Sequence, residues 1–310
     1  VFFAHGLSLG EIRRDRTSSA SDVLKRWTGA RIGYLGAVAD EIVWLADAPY
    51  AMSTVAVSPT RLAELRPRRI GRDGADSYFA VPASGGLTVV RTSAAGTVEL
   101  ARVDGVPYFA EGALAQDANA VYVTTFATGG GEAGLYRIAK RGGEVRRMAI
   151  TREGGCEWIV SDGAYVYAGY HDPSQQRLEL RRYSIADSGF QVLTSELGVR
   201  EDSAQPVFID GGFLYGATNP STSFGTSGTF GTKGIVRVSL ATGASEPVVT
   251  MEGERVILAH AHDARDANGL YLATADCKCT SYVGPNKGGG MSCALFDCTQ
   301  RIERVSLSRR

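Results

Sequence analysis

The sequence predicts an all-β fold, specifically a seven-bladed β-propeller of four-stranded antiparallel blades. Three observations predict it. A unit of about 44 residues recurs along the chain. Each copy sets an Asp-Gly-like turn before an aromatic run. The composition, with 38 glycines but 10 prolines in 310 residues and an apolar share of 44%, suits many tight turns around a substantial core.

Three copies define the unit. One reads Asp117-Ala118-Asn119-Ala120-Val121-Tyr122-Val123, then Gly134-Leu135-Tyr136-Arg137-Ile138, then Gly143-Glu144-Val145. The next reads Asp162-Gly163-Ala164-Tyr165-Val166-Tyr167, then Leu180-Arg181-Arg182-Tyr183, then Gly189-Phe190-Gln191-Val192. The third reads Asp210-Gly211-Gly212-Phe213-Leu214-Tyr215, then Gly234-Ile235-Val236-Arg237-Val238, then Glu246-Pro247-Val248. Glycine accepts the positive φ of a tight reversal, so each copy reads as an apolar strand, a turn, an aromatic strand, a strand carrying arginine and a last strand. Weaker copies surround Glu41–Leu45, Arg72–Ala80 and Asn268–Leu272.

One domain over 1–310 is expected, with blades near 1–29 (partial), 30–66, 67–103, 104–150, 151–197, 198–251 and 252–310. Arg301–Leu307 matches the third-strand sequence Gly234–Leu240, while Val1 falls inside a second strand. Residues upstream of Val1 are therefore expected to pair with the last blade and cover the raw edges. The alternative is a last blade completed by Met291–Phe296, or a six-bladed ring in which the N-terminal piece merges with the last blade. The Asp-Gly-x-x-Val-Tyr and Gly-x-x-Arg-Val elements resemble those of bacterial propeller repeat proteins of the YWTD and TolB-like kind. That resemblance implies a fold and is nearly silent on function.

Charge and hydropathy exclude some functions. Lys+Arg and Asp+Glu are both 33, so nothing supplies the basic excess of a protein that grips a phosphate backbone. No apolar run is long enough for a membrane span. Four of the five cysteines, Cys277, Cys279, Cys293 and Cys298, crowd into one segment, which fits an oxidising compartment and a secreted or periplasmic protein. Two disulfides are the first reading of that cluster and a structural zinc site the second, since zinc knuckles favour C-x2-C over the C-x-C found here. Cys156 reads as a small buried apolar residue.

Long loops at 127–134, 171–177, 220–234 and 275–292 should share one face, the expected binding face. His5 and His171 fall at that end of their strands. His260 and His262, two apart on an expected first strand, share one side of it. If that side faces the channel, both imidazoles enter one cavity; the alternative is one ring packed between blades and the other bonded to backbone. Glu111, at the matching place in another blade, makes them a candidate divalent-metal set, with calcium or zinc as the cofactor. Glu157 and Trp158 open another first strand. Trp158 either stacks a sugar ring or wedges between blades. Tyr170, Asp172 and Asp47 are placed near the same rim. The function expected from this arrangement is a metal-assisted hydrolase of a small ester or phosphoester at the channel mouth, with His260, His262 and His171 catalytic. The alternative is a non-catalytic propeller that binds a glycan, peptide or protein. No nucleophile elbow or phosphate-binding glycine loop occurs.

Overall fold

The computed structural model describes residues 2–5, 8–11, 22–26, 34–38, 41–45, 49–53, 60–61, 69–73, 76–83, 86–104, 106–107, 114–126, 133–151, 155–172, 177–187, 189–195, 199–200, 207–218, 232, 234–252, 255–262, 269–285 and 291–307. Side chains are described chiefly between 73 and 252. Nearly all of these residues are in strands, and the strands form seven sheets in chain order.

The first sheet holds Phe2–His5, Ser8–Glu11 and Asp22–Arg26. The second holds Tyr34–Val38, Glu41–Leu45, Pro49–Ser53 and Thr60–Arg61, and the third Arg69–Asp73, Asp76–Ala83, Gly86–Ser93 and Gly96–Asp104. The fourth combines Val106–Pro107 and Leu114–Gln116, both against Ala120–Phe126, with Ala133–Ala139 and Val145–Thr151. The fifth holds Gly155–Ser161, Tyr165–Asp172, Arg177–Ser184 and Phe190–Thr194. The sixth combines Val199–Arg200 and Phe208–Asp210, both against Phe213–Thr218, with Gly234–Ser239 and Ser245–Thr250. The seventh holds Arg255–His262, Gly269–Pro285 and Met291–Ser306. From the second sheet onward successive strands pair antiparallel, except that Val106–Pro107 and Val199–Arg200 skip the short strand that follows each and pair with the one after it.

The turn chemistry repeats with the strands. Asp117 Oδ1 accepts the backbone N–H of Asn119 and Ala120 at 2.7 and 2.8 Å, and its Oδ2 accepts the Tyr122 hydroxyl at 2.6 Å. Asp162 does the same for Ala164, Tyr165 and the Tyr167 hydroxyl, at 2.9, 2.7 and 3.0 Å. An arginine of the next strand lies opposite each tyrosine: Arg91 for Tyr78, Arg137 for Tyr122, Arg182 for Tyr167, Arg237 for Tyr215 and Arg304 for Tyr271. One short side chain thus closes the turn and anchors the aromatic strand that follows. Burial, then the neighbouring aspartate, raises the Tyr122 pKa and pushes that of Tyr167 up to about 12.

A bulge also repeats on the fourth strand. Leu100, Met148, Leu193 and Val248 are each the extra residue opposite a single step of the third strand. Leu100 and Met148 are buried, so the bulge turns an apolar side chain into the core from a strand whose ends are solvated.

By packing, the chain divides into two units, one holding Leu24–Leu197 with Ala4–Leu9, the other Gly198–Arg310 with Val1–Phe3 and Gly10–Val23. In the former, the first strands of the third, fourth and fifth sheets lie side by side in chain order. Val89, Val103, Val121 and Ile138 fill the layer between the third and fourth sheets; Tyr122, Met148, Ile159 and Tyr183 fill that between the fourth and fifth. Lys140 reaches from the fourth sheet to Asp73 of the third at 2.7 Å, and Arg146 donates to the Ile185 carbonyl of the fifth. In the other unit, Tyr215, Ile235, Ile257, Leu270 and Leu272 form the core between the sixth and seventh sheets.

One expected loop is corrected. Most of 275–292 is strand, because Gly269–Pro285 and Met291–Ser306 run on as a long hairpin. Thr280, Tyr282, Val283, Leu295 and Phe296 favour extended backbone. The strand Met291–Ser306 is one continuous third strand, so both third-strand candidates lie on it.

Candidate functional site

The fifth sheet departs from the repeat at one place. Three residues past the repeat's tyrosine, the fourth and sixth sheets carry Thr125 and Thr218, each beside a glycine. The Gly134 N–H donates to Thr125 Oγ1 at 3.1 Å, and Thr218 Oγ1 donates to the Gly234 carbonyl at 3.2 Å. A Cβ on Gly234 would collide with the Val249 carbonyl. The fifth sheet instead has Tyr170 opposite Glu179, and Arg181 where the other sheets have Tyr136 and Val236.

Glu179, Arg181 and Tyr183 alternate along one strand and so share a face. Arg181 Nε and Nη2 hold Glu179 Oε2 at 2.8 and 2.7 Å. The guanidinium lies 3.4 Å from the Tyr170 ring centre and 4.8 Å from that of Phe190. The side chains of Glu179 and Arg181 are only 6% and 13% exposed, whereas Phe190 is half exposed. Burial opposes the charge on Arg181, but the Glu179 hydrogen bond, with Tyr183, outweighs it and raises the guanidinium pKa. Cys156, opposite Tyr170, is buried, and its thiol is pushed up to about 12, so it is neutral and unreactive at ordinary pH. This cluster can present a paired guanidinium between two aromatic rings, one of which reaches solvent.

The same end of the sheet carries several residues singled out from sequence. His171 lies opposite Gly155 and Leu178, and Asp172 opposite Arg177, at the end of the strand Tyr165–Asp172. Glu157 is the extra residue of a bulge between Cys156 and Trp158. Trp158 is fully buried and packs on Gly169, where a Cβ would overlap its indole; its Nε1 has no hydrogen-bond partner among the described residues. Tyr170 is buried beneath Arg181.

The break at Glu157 has counterparts. In the seventh sheet Leu258 is the extra residue at the matching level, just before His260 and His262, which lie opposite Leu272 and Leu270. In the fourth and sixth sheets the described pairing at this level passes from Pro107 to Leu114 and from Arg200 to Phe208. Glu111 falls between Pro107 and Leu114 in sequence and, like Asp47, lies outside the described residues. His5 ends the strand Phe2–His5. Cys277 lies opposite Cys298, Cys279 opposite Phe296 and Cys293 opposite Tyr282. Among the described residues no three His, Cys, Asp or Glu side chains gather as metal ligands. The loops 127–132, 173–176 and 219–231 lie outside the described residues.

The sequence reading did not single out Glu179 or its pairing with Arg181. Their signal is a glutamate where aligned copies carry Gly134 and Gly234, legible only once the strand register is known.

No family model matches the chain, and no curated protein does. Solved structures do. A chain of a nidogen/laminin complex matches at 14% identity and a TM-score of 0.54, over 81% of this chain and 92% of that one. A putative 6-phosphogluconolactonase from Bacteroides uniformis matches at 10% identity and 0.56, over 97% and 92%. A puromycin hydrolase matches at 10% identity and 0.58, over 99% of this chain and 51% of that one. These are propeller-like folds. The likeness is one of fold. No helix among the described residues is long and apolar enough to cross a membrane.

Proposed function

We propose that the chain is a seven-bladed propeller that hydrolyses a small ester or phosphoester, with a divalent metal bound at His260 and His262. The observation that carries this reading is the pair of histidines two residues apart, directly after a bulge in a first strand. First strands line the channel of a propeller, and bulges there re-aim side chains at functional sites. Histidines two apart on a strand are a ligand set that suits zinc or a similar cation, which supplies Lewis acidity and an acidified water when bound. His171, Asp172 and Glu157, at one end of the fifth sheet, are the proposed substrate-side groups. The fold likeness to a lactonase and to a hydrolase is compatible with ester chemistry.

The test is metal analysis of the purified protein, then an ester and phosphoester panel with and without chelator. The expected result is bound metal and chelator-sensitive turnover, with kcat/KM falling by about a hundredfold or more in His260→Ala and His262→Ala. Absence of metal together with unaltered behaviour of both variants overturns the reading.

A second reading, a non-catalytic module for a glycan, peptide or protein, is favoured by one feature. Half-exposed Phe190 flanks Arg181, a surface suited to stacking. It predicts ligand retention without turnover, lost in Phe190→Ala.

A further inference from the structure

We propose that Cys277 and Cys298 form a disulfide that pins the root of the long hairpin in the seventh sheet, while Cys279 and Cys293 remain thiols. The strand Arg255–His262 supports this hairpin only as far as the pair Arg255 and Asp276. The next pair outward is Cys277 opposite Cys298. From there to Pro285 and Met291 the described strands form a two-stranded ribbon, an arrangement marginal in water by itself.

The register locates the bond. Directly opposed residues of an antiparallel pair have Cα atoms about 4.5–5.5 Å apart, inside the range a disulfide spans. Cys279 pairs with Phe296, whereas Cys293 pairs with Tyr282, three residues farther along the strand, and bulges intervene. Three residues of strand span about 10 Å, too far for a bond without moving backbone. The same offset argues against one metal held by all four cysteines. Pairing stays regular from Gly269 and Ser306 to Cys279 and Phe296, then shifts repeatedly. A cross-link at Cys277 and Cys298 therefore holds the register where sheet support ends.

The oxidant is an external disulfide, such as oxidised glutathione or a dithiol oxidase. The thiolate of one cysteine attacks it, forming a mixed disulfide and releasing one thiol. The other thiolate displaces the second thiol, so the donor carries away two electrons and two protons.

Trypsin cuts after Lys278 and Lys287 and an Asp-specific protease before Asp297, so the four cysteines fall on separate peptides. Protein exposed to oxidised glutathione is alkylated and digested without reduction. The expected result is one linked peptide pair, Cys277 with Cys298, that disappears on reduction, with Cys279 and Cys293 alkylated. A Cys279–Cys293 link, free alkylation of Cys277 and Cys298, or zinc bound stoichiometrically by all four overturns the proposal. Reduction, or Cys277→Ser with Cys298→Ser, should speed amide exchange in 277–285 and 291–298 on the order of a hundredfold while the sixth sheet is unaffected. Unchanged exchange overturns the stapling role.

Discussion

Glu179 and Arg181 carry the sharpest residue-level consequence. Glu179 is buried, Arg181 is mostly covered, and each satisfies the other's charge. Glu179→Gln leaves a guanidinium without its counter-charge and should cost about 3–5 kcal/mol, whereas replacing both with the residues of the fourth sheet, Glu179→Gly with Arg181→Tyr, should recover most of that loss. Urea unfolding of Glu179→Gly, of Arg181→Tyr and of the double variant reads the coupling. Equal, additive losses would show that the pair does not act as a unit.

The Asp–Tyr pairs make a second residue-level prediction, in pH. Tyr167 keeps its proton up to about 12, against an ordinary value of 10.0. Burial and the Asp162 hydrogen bond both favour the neutral hydroxyl. A folded pKa above the unfolded one means that the folded chain holds the proton more tightly. The contribution is complete below pH 10 and is lost as pH rises towards 12. Denaturation midpoints should fall across that window, more steeply than in Tyr167→Phe. Tyrosinate absorbance growing at pH 10 in fully folded protein would contradict the assignment.

At the scale of elements, the recurrent fourth-strand bulge decides which apolar residues matter. Met148 and Leu100 are turned inward by it, whereas Val98 and Val145 on the same strands are half exposed. Met148→Ala or Leu100→Ala should therefore cost about 2–5 kcal/mol, and Val98→Thr or Val145→Thr about 0.5 kcal/mol or less. Thermal melts distinguish these outcomes directly. Hydrophobicity along the sequence does not separate the two groups, since all four are apolar residues in strands of similar composition. Only the two-against-one pairing reverses the face. The aromatic strands and their aspartate turns were legible beforehand, because their signals are local: a period of two, a glycine or asparagine at the turn, and a tyrosine five residues after an aspartate. The hairpin at 269–306 was not, because glycines and cysteines read as loop when the pairing of their flanks is unknown.

For the whole molecule, the proposed function rests on where the candidate residues lie within their own sheets. His260 and His262 sit on a first strand, and His171 and Asp172 at the end of a second, as the repeat alignment expects of them. The metal and substrate assays above test what those placements do. Glu111 and Asp47 lie outside the described residues, so the sequence remains the basis for their assignment.

The sequence alone determined the strand-rich fold, the turn chemistry and the repeat, because these arise from neighbours within a few residues of one another. Tertiary structure alone decided that Glu179 and Arg181 form a buried pair between aromatic rings, that Trp158 packs on Gly169, and that Cys277 faces Cys298. Each of these depends on register between strands, where a shift of one residue exchanges the core face for the solvent face.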